Sequence, residues 1–182
     1  TLFGGYSGID LLYGGAGDDL LIASLHGGVR GAGDLIKEAH TNNITIATAV
    51  SLDGHFDLSD REGVAYAAAV PHATVVATGS YNNGLEYYAF TVGAGMTVRI
   101  DIDGAEFDSY LYLYDASGTL LASNDDGGDT DGSADDSAME LTFNVAGTYY
   151  IGVGRWGAAS TPTQPAHTSI AGWGYTMHVS VQ

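Results

Sequence analysis

From about residue 85 onward, apolar and polar residues alternate along the chain with a period of two. Val98, Ile100 and Ile102 are separated by Arg99, Asp101 and Asp103, and Tyr175, Met177, Val179 and Val181 repeat the arrangement near the C-terminus. A strand sends successive side chains to opposite faces, so this pattern predicts strands with one face in a core and one face outward. Short runs rich in β-branched and aromatic residues, broken by Gly, Asn or Asp, place strands at 44–50, 64–70, 74–78, 85–92, 96–102, 110–114, 119–123, 139–145, 148–153 and 174–181. Such a series predicts an all-β fold, an antiparallel β-sandwich or jelly roll over residues 44–182.

The connections between these strands fall into two lengths. The turns at 93–95, 116–118 and 146–147 are short, whereas 103–109, 124–138 and 154–173 are long. An antiparallel chain reverses end at every strand, so the long loops gather at one end of the sandwich. Binding residues tend to sit on loops carried by a rigid scaffold, which makes that end the candidate functional face.

Composition adds a constraint. The formal charge is −17, with 22 carboxylates against Lys37, Arg30, Arg61, Arg99 and Arg155. Phosphate neutralisation needs Lys and Arg, so nucleic acid and anionic lipid are poor partners for this surface. Asp accounts for 17 of the 22 carboxylates, a bias that suits tight oxygen-lined cation loops. A hydrophobic fraction of 45% argues for a packed core rather than disorder. The absence of cysteine excludes disulfides and thiolate metal sites. No apolar run approaches membrane-spanning length, so membrane insertion is not expected. The sequence starts at Thr1 without an initiator Met or a charged-then-apolar leader, and is expected to be a mature or excised part of a longer chain.

The densest candidate chemistry is residues 124–136 (NDDGGDTDGSADD), where six Asp stand among flexible small residues. Asp125, Asp126, Asp129, Asp131, Asp135 and Asp136 are the candidate ligands for a calcium ion, which prefers six to eight oxygens. The run is not an EF-hand loop: with Gly132 in the glycine position, Gly127 and Ala138 stand where carboxylates are required. Asp103, Glu106 and Asp108 lie in the neighbouring long loop and extend the same site or form one beside it. Asp101 reads as part of a solvated strand face, and Asp115 as the opening residue of an Asp-Ala-Ser-Gly turn. The six histidines are scattered without an H-E-x-x-H pattern, and no G-x-S-x-G elbow or phosphate loop is present, so no catalytic residue is proposed and the chain is not expected to be an enzyme. Trp156, Trp173 and Arg155 border the third long loop, either as its anchors or as a stacking surface. Tyr110, Tyr112 and Tyr114 alternate with Leu111 and Leu113, so an outward tyrosine row is a candidate contact surface for a second copy or a neighbouring domain.

Near the N-terminus, residues 5–13 (GYSGIDLLY) and 14–22 (GGAGDDLLI) form two consecutive nine-residue units with Leu12 and Leu21 in matching places. They resemble the calcium-binding nonapeptide G-G-x-G-x-D-x-U-x of RTX (repeats-in-toxin) proteins, which builds parallel β-rolls. The resemblance puts Asp10 and Asp19 at the calcium-binding position. It implies a partial parallel β-roll over residues 1–24, joined by a connector at 25–43 in which 34–40 (DLIKEAH) suits a helical turn. Downstream, LEYYAFTVGAG (85–95), FDSYLYLYDASGTLLASNDDGG (107–128), AGTYYIGVG (146–154) and GYTMHVSV (174–181) are similar to a bacterial pre-peptidase C-terminal (PPC) domain. That resemblance, over 85–181, implies a non-catalytic β-sandwich appended to an exported protein. The two together imply a calcium-binding module of a secreted bacterial RTX-type protein, extracellular or on the cell surface, acting in binding or assembly. Its partners would be calcium, and beyond it an extracellular protein or glycan, or further copies of itself. The alternatives are an accessory domain of a secreted hydrolase such as a peptidase, and a self-assembling surface-layer, filament or adhesin subunit.

Overall fold

The computed structural model describes residues 19–23, 35–39, 43–65, 67–79, 84–127, 135–157 and 170–182. These residues form two facing β-sheets with one short 3₁₀ turn, Ile46–Thr48, and no α-helix. The strands are β1 (Asp19–Ala23), β2 (Leu35–Ala39), β3 (Val50–Ser51), β4 (His72–Thr78), β5 (Glu86–Val92), β6 (Thr97–Asp103), β7 (Ser109–Tyr114), β8 (Leu120–Asn124), β9 (Ala138–Thr142), β10 (Gly147–Arg155) and β11 (Gly174–Val181). The larger sheet runs β1-β2-β4-β11-β6-β9 and the smaller β3-β5-β10-β7-β8. All neighbours are antiparallel except β2 with β4 and β3 with β5. The all-β sandwich expected from the alternation is the architecture observed.

The core is built by the period-two residues. Val98, Ile100 and Ile102 of β6 and Tyr175, Met177 and Val179 of β11 face Tyr88, Phe90, Leu111, Leu113, Ile151 and Val153 of the smaller sheet, all buried. Each fully buried side chain of this size contributes about 1.5–3 kcal/mol relative to exposure. One polar chain crosses between the sheets: Tyr175 donates to Glu86 at 2.7 Å, and its hydroxyl lies 2.6 Å from that of Tyr88.

The outer face of the smaller sheet is also covered. Tyr110, Tyr112 and Tyr114 are buried in a second cluster with Leu85, against which Ile46, Tyr87, Leu120 and Tyr150 pack. The rings of Tyr110 and Tyr112 stack at 4.6 Å between centroids. They can lie down because their partners on β10 are Gly154 and Gly152, where a Cβ would strike Leu85 at 2.5 and 2.8 Å. The tyrosine row is therefore sealed by the chain's own residues rather than presented outward.

Three local predictions differ from the structure. Residues 44–50 form the 3₁₀ turn and β3 rather than one strand. Residues 34–40 supply β2, not a helical turn: so short a segment has no stable helix of its own, and its backbone groups find partners along the edge of β4. Residues 64–70 read as a strand from their apolar content, yet the described part runs in turns across the outer face of the larger sheet. Gly63 starts that arch with φ of +85°. From the second nonapeptide unit comes β1, which pairs antiparallel with β2. The first unit, with Asp10, lies outside the described residues.

Gly63 makes a testable point of the arch. A Cβ there would lie 2.0 Å from Asp103 Oδ2, in a backbone region that disfavours any L side chain. Gly63→Ala should lower stability by about 1–3 kcal/mol in urea unfolding, whereas Gly54→Ala, at an open positive-φ position, should cost less.

Candidate metal centre

The three long loops do meet at one end, and polar contacts hold them there. Asp136 is buried, and its carboxylate accepts hydrogen bonds from the amides of Gly104 (2.8 Å) and Ala105 (3.1 Å). The Ser109 amide donates to the Asp135 carbonyl at 2.8 Å. Ser137 places its hydroxyl between the carbonyls of Ser109, at 2.8 Å, and Asp125. The third loop is attached through Trp156, whose amide donates to the Asp108 carbonyl at 2.8 Å. The Gly174 amide also donates to Glu106 Oε2, at 2.7 Å.

These ties bring Asp108, Asp125 and Asp126 together, with one carboxylate oxygen from each inside 4.8 Å of the others. Two oxygens bound to one calcium at 2.3–2.6 Å can stand at most about 5 Å apart, so the trio fits a single ion. Asp125 Oδ1 is buried and accepts no hydrogen bond. Burial, then the charges of Asp126 and Asp108, push the Asp125 carboxyl up to about 6. Asp108 is raised by burial and by Asp135 and Asp126, with Arg155 pulling the other way. Like charges this close favour either a bound proton or a bound cation. A calcium ion here would take the three carboxylates and complete its shell with carbonyls and water, and it would supply positive charge rather than a reaction centre.

The remaining predicted ligands are placed differently. Asp135 is exposed and acts on the trio through its charge and its carbonyl. Asp136 is committed to the two backbone amides. Asp103 lies on the outer face of the larger sheet, where Oδ2 is 3.1 Å from His178 Nε2, and is not part of the trio. Asp129 and Asp131 lie outside the described residues, as does Asp10. Asp19 is described only by its backbone, opposite Ala39. Asp101 is buried and paired with Arg99 at 3.1 Å, which corrects its reading as a solvated residue. Asp115 opens its turn as expected, accepting from the amides of Ser117 and Thr119. Trp173 is a loop anchor, with the Arg155 guanidinium 4.5 Å from its ring centre and Phe107 at 6.1 Å, whereas Trp156 is 40% exposed. The Thr74–His178–Asp103 line and the Glu86–Tyr175 contact were not singled out in the sequence, since each joins residues on different strands.

Comparison with protein families finds one match in this region, over residues 84–155. This segment is a bacterial pre-peptidase C-terminal domain. The PPC match contains β5 to β10, and with them Asp108, Asp125 and Asp126, while β1, β2, β4 and β11 of the larger sheet lie outside it. Among solved structures, the periplasmic g-type lysozyme inhibitor PliG of Aeromonas hydrophila is similar at 18% identity and a TM-score of 0.42, covering 65% of this chain and 93% of its own. The pre-peptidase C-terminal domain of collagenase from Bacillus anthracis is similar at 15% identity and a TM-score of 0.37, covering 61% and 87%. Comparison with curated protein sequences gives no match.

The trio sets a pH dependence for the metal-free PPC end. Asp125 has a folded pKa of about 6 against an ordinary 3.8, so its favourable contribution is complete below about pH 4 and lost as pH rises through 6. Asp125→Asn removes that loss. In chelator, melting should show wild type falling relative to the variant between about pH 4 and pH 7; a parallel pair of curves would contradict the assignment.

Proposed function

We propose that this chain is a non-catalytic accessory module of an exported bacterial protein, and that calcium bound by Asp108, Asp125 and Asp126 orders its loop end for extracellular binding or assembly. The observation that carries the reading is the trio itself: three carboxylates inside one coordination diameter, one with a buried oxygen that accepts no hydrogen bond, within a PPC segment. The excess of Asp over Glu and the strongly acidic surface favour a cation as well. The PPC family name points to attachment beside a peptidase or similar exported enzyme, so a catalytic partner region elsewhere in the protein is the form of this reading that the match supports. The RTX-like units, through Asp10 and Asp19, would add calcium sites of their own.

Self-assembly through the tyrosine row is less favoured, because Tyr110, Tyr112 and Tyr114 are buried inside the chain.

Calcium should stabilise the protein by mass action. At a free concentration a hundred times the dissociation constant the gain is about 2.7 kcal/mol, which raises the melting midpoint by roughly 5–10 °C for a chain of this size. The Asp108→Asn, Asp125→Asn double variant should lose that shift. An unchanged midpoint of wild type at millimolar calcium, or an equal shift in the double variant, would overturn the assignment.

A further inference from the structure

We propose that the cavity between the arch and the outer face of the larger sheet binds a primary ammonium group on a short aliphatic stem, the chemistry of a lysine side chain or a small diamine. The cavity has a volume of about 470 Å³. The described part of its roof is aliphatic, from Val64, Ala65, Ala69 and Val70 of the arch, and its floor is polar, from β6, β9 and β11. Strand register orders that floor in rows: Ser180 stands beside Arg99 and Arg99 beside Glu140, with His178 beside Asp101 in the next row.

Most floor groups are already engaged. Arg99 donates from Nε and Nη2 to Asp101 Oδ2, at 3.2 and 3.1 Å. His178 is held between Thr74 Oγ1, at 2.9 Å, and Asp103 Oδ2, at 3.1 Å. Besides the exposed side chain of Gln182, two groups facing the cavity take no part in a hydrogen bond or ion pair among the described residues. One is the Glu140 carboxylate at the outer rim; the other is the Ser180 hydroxyl, on a residue only 8% exposed.

The chemistry of an occupant follows from these groups. With Asp101 and Glu140 lining it, and Asp103 paired with His178 beside it, against one guanidinium, the floor is acidic and disfavours an anion. Among the described residues no Phe, Tyr or Trp lines the cavity for a sugar to stack on. An ammonium carries three donors, enough for the Glu140 carboxylate and Ser180 Oγ together. Its methylene stem would lie against the Val64 and Val70 side of the roof, as long cationic side chains do on apolar surfaces. The loop carboxylates are not part of this site, so the two readings stand or fall separately.

The test is an amide-resolved NMR titration of the full chain with Nα-acetyl-lysine amide, cadaverine and, as the uncharged stem, Nα-acetyl-norleucine amide. Shifts should saturate and concentrate at 63–70, 99–101 and 178–182 with the first two or with cadaverine alone, and norleucine should give none at equal concentration. Binding of the capped lysine identifies a protein side chain as the occupant; binding of cadaverine alone identifies a free amine. Glu140→Gln, at an exposed position, should weaken binding about fivefold, and Ser180→Ala should weaken it too, each with an unchanged amide spectrum elsewhere. Shifts spread over the acidic loops, equal response to norleucine, or unaltered affinity in both variants would overturn the proposal.

Discussion

The carboxylate of Asp136 is the contact on which the loop end depends. It is buried on the 124–138 connection and takes up two amides of the 103–109 connection, those of Gly104 and Ala105. Charge-assisted bonds of this kind are the stronger class of hydrogen bond, and here they fix one acidic loop against the other. Ser109 and Ser137 repeat the tie a few residues along, through the Asp135 carbonyl and their own hydroxyls. Asp108 is carried on the first loop and Asp125 and Asp126 on the second. Without the buried tie, mutual repulsion would separate them; with it, the repulsion is retained as an affinity for positive charge.

Strand parity made much of this legible. Residues from β5 to β7, and those of β10 and β11, lie where alternation placed them, because each strand buries one face against a continuous core. Parity also assigns Asp103, which shares its face with Arg99 and Asp101 and so belongs with the outer row. The role of Asp136 was not readable in that way, since its partners are amides thirty residues away and any Asp in the run looks alike. Where the reading of elements failed, tertiary contacts decided the outcome. The arch at 64–70 is as apolar as a strand, but its described residues run in turns, entered where the Val64 amide donates to the Arg61 carbonyl. Residues 35–39 became β2 because the edge of β4 offered a ladder.

Both sheets carry a second layer on their outer faces, and this narrows where function can reside. The tyrosine stack and Leu85 close the smaller sheet, while the arch closes part of the larger one over buried His178 and Asp101. Among the described residues, converging polar groups open to a ligand then stand at the loop end and in the cavity under the arch. On the proposed readings a chain of such high negative charge takes a cation at either place, but the two differ in kind. The loop end presents carboxylates converging on a point, and the cavity presents one carboxylate and one hydroxyl beside an apolar roof.

Beneath the loop end the sandwich is already locked. Glu86 and Tyr88 lie on β5 of the smaller sheet and Tyr175 on β11 of the larger, so their hydrogen bonds clamp the two sheets together. Phe107 packs edge-on against Tyr175, with ring centres 5.9 Å apart, and so seats the first acidic loop on that clamp one residue before Asp108. Ser109 anchors the other side of Asp108 through Asp135. A cation arriving there meets a carboxylate whose backbone is already fixed on both sides. Less ordering entropy is then spent at Asp108, and more of the charge compensation reaches stability than a free acidic loop would return.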